Sequence, residues 1–146
     1  MSGKVTLFCA MTIEQLEQQL MAALLSGEDA RLAALRAQYR SATVGARQFT
    51  GVGFFTHFVL PGAVPLVTPL NFEIADVFLQ LAGVAHGAMA ILFIRESRLD
   101  CLEVVTLDDP WPEQIAVQSL YYSPPHSALG DQVRDLEALR QSWKRR

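Results

Sequence analysis

Charged residues are scarce in this sequence, and neither sign is in large excess. Only 18% of the 146 residues are charged, against about 25% in an average domain, and the formal net charge is −3. Proteins that bind nucleic acid or anionic membranes need an excess of Lys and Arg, so we expect neither partner. A small chain has a large surface for its volume and needs many polar residues on it. Their shortage here favours a homodimer or a complex with a protein partner.

Cysteine is also scarce, and long apolar runs are missing. Cys9 and Cys101 lie far apart in apolar contexts, which is typical of buried free thiols in a reducing compartment; a disulfide between them is the alternative. No window approaches the roughly 20 apolar residues that cross a bilayer. Residues 5–11 are too short for a signal peptide. These features predict a cytoplasmic protein.

Common catalytic and nucleotide-binding motifs are missing as well. There is no P-loop, no G-x-S-x-G and no H-E-x-x-H, and Gly51-x-Gly53 lacks the third glycine of a dinucleotide site. The histidines, His57, His86 and His126, are widely spaced, so a metal site would need them to converge by folding. We expect no cofactor and no metal, and the sequence leans away from an enzyme.

The first third of the chain predicts a helical hairpin. Thr12 and Gln15 fit a capping box, and apolar residues recur after them at helical spacing. Ser26 and Gly27 break this helix, and Glu28 and Asp29 fall where negative charge would favour the start of a second one.

From about residue 41 the pattern becomes that of strands. Residues rich in Thr, Phe, Val and other strand formers occupy 48–60, 88–95, 99–107 and 116–122. Residues 72–81 fit a strand or a helix, and the β-branched and aromatic residues favour a strand. The segment 88–95 is apolar almost throughout, so we expect it to be central and covered on both faces. A final helix is predicted over 131–143.

Hairpin-linked strands between helices predict one α+β domain over residues 1–146. Its expected architecture is an antiparallel β-sheet packed with an N-terminal helical hairpin and a C-terminal helix. The apolar, proline-punctuated residues 61–70 are expected to form a packed loop. Because glycine weakens a strand, we predict that Gly51 or Gly53 has an unusual conformation or touches a neighbouring backbone closely.

Six residues are candidates for function. They are Glu103, His57, His86, Asp108, Asp109 and Trp111. Glu103 lies in an apolar strand; if it points inward, burial would raise its pKa unless a cation pairs with it. Candidate partners are Arg47, Arg95 and Arg98.

The other five candidates have both structural and chemical interpretations. Asp108 and Asp109 beside Trp111 could serve acid–base chemistry or sugar binding, although acidic turn residues are far commoner. Trp111 could simply plug the sheet edge. His57, on a strand, and His86, at a strand entrance, could be partly buried or turn residues.

A longer pattern resembles a family of small uncharacterised bacterial proteins. It consists of LRAQ at 35–38, TGVGFFT at 50–56, HG at 86–87, LF at 92–93, LE at 102–103 and WP at 111–112. Ser97 stands where the family has a turn glycine, and Val104 where it has a glycine after the acid, so Glu103 need not be catalytic. The resemblance implies no activity. The style of the LE…WP segment is also similar to small immunity proteins that neutralise toxins.

Two classes of function follow from these features. The first is a non-enzymatic protein-interaction module, with an immunity-protein-like role as one form of it. The second is a small-molecule-binding protein or hydrolase with a pocket near Gly51, Gly53 and Glu103. A convergent pocket that holds Glu103 and a histidine would favour the second class, and a flat acidic or aromatic face would favour the first.

Overall fold

Three helices and six strands make up the computed structural model, which describes residues 10–123 and 133–144. In chain order they are α1 Ile13–Leu24, α2 Ala30–Ser41, β1 Thr43–Phe49, β2 Gly53–Val59, β3 Phe72–Leu81, β4 Ala88–Arg95, β5 Arg98–Thr106, β6 Val117–Tyr122 and α3 Leu136–Lys144. The strands form one antiparallel sheet in the order β1-β2-β5-β4-β3-β6. The predicted α+β class is confirmed. Cys9 and His126 lie outside the described residues.

The helical hairpin forms where the capping residues predict it. The Thr12 amide donates to the Gln15 side chain at 2.9 Å, and the Gln15 amide donates to the Thr12 hydroxyl at 3.1 Å, which completes the capping box. Gly27, at φ +126°, makes the turn that a residue with a Cβ would resist. The Asp29 carboxylate then accepts the Arg31 and Leu32 amides and starts α2.

The single strand expected over residues 48–60 is wrong. The chain instead forms two strands, β1 and β2, with a turn between them in which Gly51 has a φ of +89°. At Gly53 an added Cβ would lie 1.8 Å from the Val104 carbonyl oxygen of β5. Both parts of the glycine prediction are confirmed. β1 is an edge strand with mostly exposed residues, so it lacks the alternation that marks a half-buried strand.

The later strands agree closely with expectation. Residues 72–81 form β3, a strand rather than a helix, and β4 and β5 form the expected hairpin. Glu96 and Ser97 make its two-residue turn with φ values of 53° and 68°. Two positive φ angles are typical of the turn whose twist matches a β-hairpin, and glycine or asparagine is the usual occupant.

All three helices pack on the same face of the sheet. The buried core joins residues of α1, α2 and α3 to Phe54, Phe72, Leu92 and Leu102, which alternate with residues that remain outside this core. Side chains of β4 are therefore buried at every second position only, and the expectation that β4 is covered on both faces is wrong. None of the described helices is long and apolar enough to cross a membrane.

The opposite face has no described helix against it, and we call it the open sheet face. Strand register and alternation place eight apolar residues on it: Phe55, Phe78, Met89, Ile91, Phe93, Cys101, Val105 and Tyr121. The same rule places five polar residues there: His57, Glu73, Gln80, Arg95 and Glu103. All but Cys101 are half-buried, and none of these residues belongs to the core cluster. Apolar side chains of the open sheet face are therefore partly exposed, where a partner could contact them.

Gln38 fastens the irregular loop before β3 to the core. It is fully buried, and its side-chain nitrogen donates to the carbonyls of Pro65 and Ser97 at 2.6 and 3.0 Å. Its side-chain oxygen accepts the Leu99 amide at 2.8 Å. A buried amide that is saturated in this way holds the loop and the β4–β5 turn against α2.

Candidate functional site

The centre of the open sheet face carries a carboxylate. Glu103 is opposite Phe55 of β2 on one side and Ile91 of β4 on the other. Its own neighbours on this face along β5, two residues away on each side, are Cys101 and Val105. Glu103 therefore has apolar neighbours on four sides, and its strand is the third of the six in the sheet.

The electrostatic state of Glu103 follows from this position. No hydrogen bond or ion pair joins its carboxylate to any residue within 10–123 or 133–144. Burial raises its pKa above the ordinary value of 4.5, and no partner charge offsets the effect. The three arginines considered as partners are all engaged elsewhere. Arg47 binds Glu17, Arg95 lies 3.8 Å from Glu73, and Arg98 binds carbonyls of the loop at Pro61 and Gly62.

Aromatic side chains share the open sheet face with this carboxylate. His57 stacks on Phe55 with ring centroids 6.4 Å apart, and its Nε2 lies 2.9 Å from the Gln48 side-chain oxygen. On the far side of the face Phe78 stacks on Tyr121 at 6.0 Å. His57 and Glu103 share the face as diagonal neighbours, but no hydrogen bond joins them.

Cys101, in the row beside Glu103, is a poor nucleophile. Burial raises the pKa of its thiol to about 11, and the charge and hydrogen bond of Asp100 act in the same direction. The thiolate is the reactive form of cysteine, and at neutral pH this thiol remains protonated. Cys101 is a free cysteine.

A histidine–carboxylate pair forms at the end of the sheet. His86 Nδ1 lies 3.1 Å from Asp109 Oδ2, and the His86 amide donates to the same oxygen at 3.0 Å. Asp109 is held in turn because its carbonyl accepts from the Thr106 hydroxyl. The His86 side chain is 65% exposed, and no described Ser, Thr or Cys is hydrogen-bonded to it. The pair orients an imidazole but does not present an activated nucleophile.

Trp111 and Asp108 lie close to this pair in the chain but have structural roles. The Trp111 ring meets Phe54 edge to face at 5.5 Å, on the helix-covered side, and its amide donates to the Gly51 carbonyl at 2.9 Å. Asp108 is exposed, with a φ of +70°, in the turn after β5. The six candidates therefore separate. Glu103 and His57 share the open sheet face, His86, Asp109 and Trp111 lie near the β1–β2 turn, and Asp108 is exposed in the turn after β5.

A polar cluster that the sequence did not reveal lies at the opposite side of β2. Glu17 of α1 is 5% exposed and accepts from Arg47 Nε at 2.7 Å, from Arg47 Nη2 at 2.8 Å and from the Thr56 hydroxyl. A cleft of about 250 Å³ beside the cluster also exposes Tyr39. Burial, with a contribution from the charge of Glu17, raises the pKa of Tyr39. Each of the three Arg47 side-chain nitrogens lies near a carboxylate, since Nη1 is 3.4 Å from Glu14.

No family model, no curated protein and no solved structure matches this chain. Over the described ranges, no three His, Cys, Asp or Glu side chains lie close enough together to hold a metal ion. The features that bear on function are therefore the open sheet face around Glu103, the His86–Asp109 pair and the saturated Glu17 cluster.

Proposed function

We propose that this chain is a non-enzymatic protein-interaction module and that the open sheet face is its binding surface. The observation that supports the proposal is the placement of helices on one side of a six-stranded sheet whose other side also carries many apolar side chains. Contiguous apolar surface of this kind is typical of interaction sites, and aromatic residues and Met are enriched in protein interfaces. Met89, Ile91 and Phe93 give β4 the continuous apolar sequence that a strand covered on both sides would have.

The partner in this proposal is a second copy or another protein. A sheet of six strands spaced about 4.8 Å apart and roughly seven residues long presents about 700 Å² in projection, close to the roughly 800 Å² per partner of a standard interface. In the immunity-like version of this function the partner is a toxin. The negative net charge of the chain would complement a basic toxin. We place the protein in the cytoplasm, because its two cysteines occupy apolar contexts typical of unpaired thiols.

Site-specific photo-crosslinking in the expressing cells tests the proposal. A photoreactive amino acid replaces Phe93 on the open sheet face or, as the control, Ala33, which is exposed on α2. We expect an adduct of one defined mass from position 93 and none from position 33; an added mass of about 16 kDa identifies a second copy. Equal adducts from both positions, or none from position 93, contradict the proposal.

A second candidate function is supported by the His86–Asp109 pair. The Thr106 hydroxyl donates to the carbonyls of both Asp109 and Val52, so the pair lies near the glycine turn where the sequence predicts a small-molecule or hydrolase site. Glu103 is outside this group, on the open sheet face. Chromogenic ester and glycoside substrates test it with the wild type and His86→Asn. Turnover that the variant loses supports a hydrolase, and a lack of turnover by the wild type counts against it.

A further inference from the structure

Glu103 gives the open sheet face a specific electrostatic requirement. Its carboxylate is half-buried between Phe55 and Ile91 and has no hydrogen bond or ion pair within the described residues. Solvent still reaches it, so the isolated protein can keep the charge hydrated. A partner that covers the face removes this water, and an unpaired carboxylate in such an interface is strongly unfavourable.

Within residues 10–123 and 133–144, no cationic side chain pairs with Glu103. Arg95, at the end of the neighbouring strand β4, lies over the Phe93 ring at 5.1 Å and pairs with Glu73. Asp100, which hydrogen-bonds to Cys101, adds further negative charge beside this row. The described residues thus leave Glu103 without a donor, and the molecule that covers the face is one source of it.

Resting on the proposed function, we propose that the partner is a different protein that inserts a lysine or arginine, flanked by apolar side chains, opposite Glu103. Charge complementarity favours this occupant over a second copy. Glu103 lies near the centre of the face, so a two-fold face-to-face dimer brings two carboxylates into the same apolar interface. Like charges in such a place oppose association. A basic side chain instead provides the missing ion pair and fixes the partner's register.

Selection from a display library of random 12-residue peptides tests the inference directly. The bait is the full chain as wild type, as Glu103→Gln, which removes the charge and keeps the shape, and as Ile91→Ser, which weakens the face. Glu96→Gln is the matched control, because it removes one negative charge at the exposed β4–β5 turn. Circular dichroism and urea melts establish that each bait is folded.

We expect wild-type selection to enrich peptides with Lys or Arg at one fixed position between apolar residues. Synthetic peptides from this set should bind Glu103→Gln at least about tenfold more weakly, with a change below about twofold for Glu96→Gln. Replacing the peptide's basic residue with norleucine should weaken binding to the wild type by a similar factor. The same replacement should change binding to Glu103→Gln very little, because the two substitutions remove the same interaction in a double-mutant cycle.

The two proposals fail in different ways. The inference is overturned if the selected peptides need Ile91 but lack a fixed basic residue, or if they bind Glu103→Gln as well as the wild type. In either case the proposed function, binding at the open sheet face, is retained. A neutral-pH dimer in light scattering that Ile91→Ser abolishes also overturns it, because the occupant is then a second copy. If no selected peptide depends on Ile91, the proposed function itself fails.

Discussion

Glu17 of α1 and Arg47 of β1 form a two-pronged ion pair, with N···O distances of 2.7 and 2.8 Å, that ties the first helix to the edge strand of the sheet. The Arg47 side chain is 22% exposed and that of Glu17 only 6%. A charge buried to this degree is tolerated only when its partners are present. The pair adds a side-chain link between α1 and β1, which has no buried side chain of its own and is otherwise held by its antiparallel pairing with β2.

Glu17→Gln should lower the free energy of unfolding by about 2–3 kcal/mol, slightly below the range for breaking a fully buried pair because Arg47 remains partly hydrated. Urea melts at neutral pH measure the effect. Glu14→Gln is the control, since Glu14 lies 3.4 Å from Arg47 but is 59% exposed, and its loss should change stability by less than about 0.5 kcal/mol. Equal effects of the two substitutions would contradict the structural role of the buried pair.

Glu103→Gln should stabilise the isolated protein at neutral pH, by less than about 1 kcal/mol. Because burial raises the pKa of Glu103 in the folded chain, its ionised form opposes folding at any pH above that pKa. The penalty fades as the pH falls through the raised pKa, and it vanishes below the ordinary value of 4.5, where both states are protonated. Melts of wild type and variant between pH 3.5 and pH 8, with roughly half-unit steps, should therefore converge at the acid end. A destabilising effect at pH 7 would mean that the carboxylate makes a favourable contact.

Gly53→Ala should destabilise the protein by more than about 3 kcal/mol or prevent folding, because a Cβ would lie 1.8 Å from the Val104 carbonyl oxygen and the β2–β5 pairing would have to separate. Gly62→Ala is the matched control. An added Cβ meets no atom within 4 Å at Gly62, so a change within about 0.5 kcal/mol is expected there. A well-folded Gly53→Ala protein with an unchanged urea midpoint would refute the close approach.

Trp111→Ala should lower stability by about 3 kcal/mol, at the lower end of the usual range for aromatic truncation, because the ring is only half-buried against Phe54. Trp111→Phe keeps an aromatic contact and should recover about half of the loss. Urea midpoints decide between this packing role and an exposed binding role. An unchanged midpoint for Trp111→Ala would favour the binding role.

Local sequence features determined the helical hairpin and most of the strands. The Thr12–Gln15 capping box and the Gly27 break act within a few residues, so their signal is visible without tertiary structure. The same holds for the β4–β5 hairpin, whose strand formers flank a short polar turn. The division of residues 48–60 at Gly51 was missed because β1, at the sheet edge, has no buried face to impose alternation.

Only the tertiary structure decided which faces are covered and which polar groups meet. The apolar sequence of β4 could not reveal that Ile91 faces away from the helices, since an apolar residue on an open face looks the same in sequence as one in the core. Arg47 could pair with either Glu17 or Glu103 as far as the sequence is concerned, and the side of the sheet on which it projects settled the choice. Burial and ion pairing depend on contacts between residues distant in the chain, and a period of two in the sequence specifies two faces without specifying what lies against each.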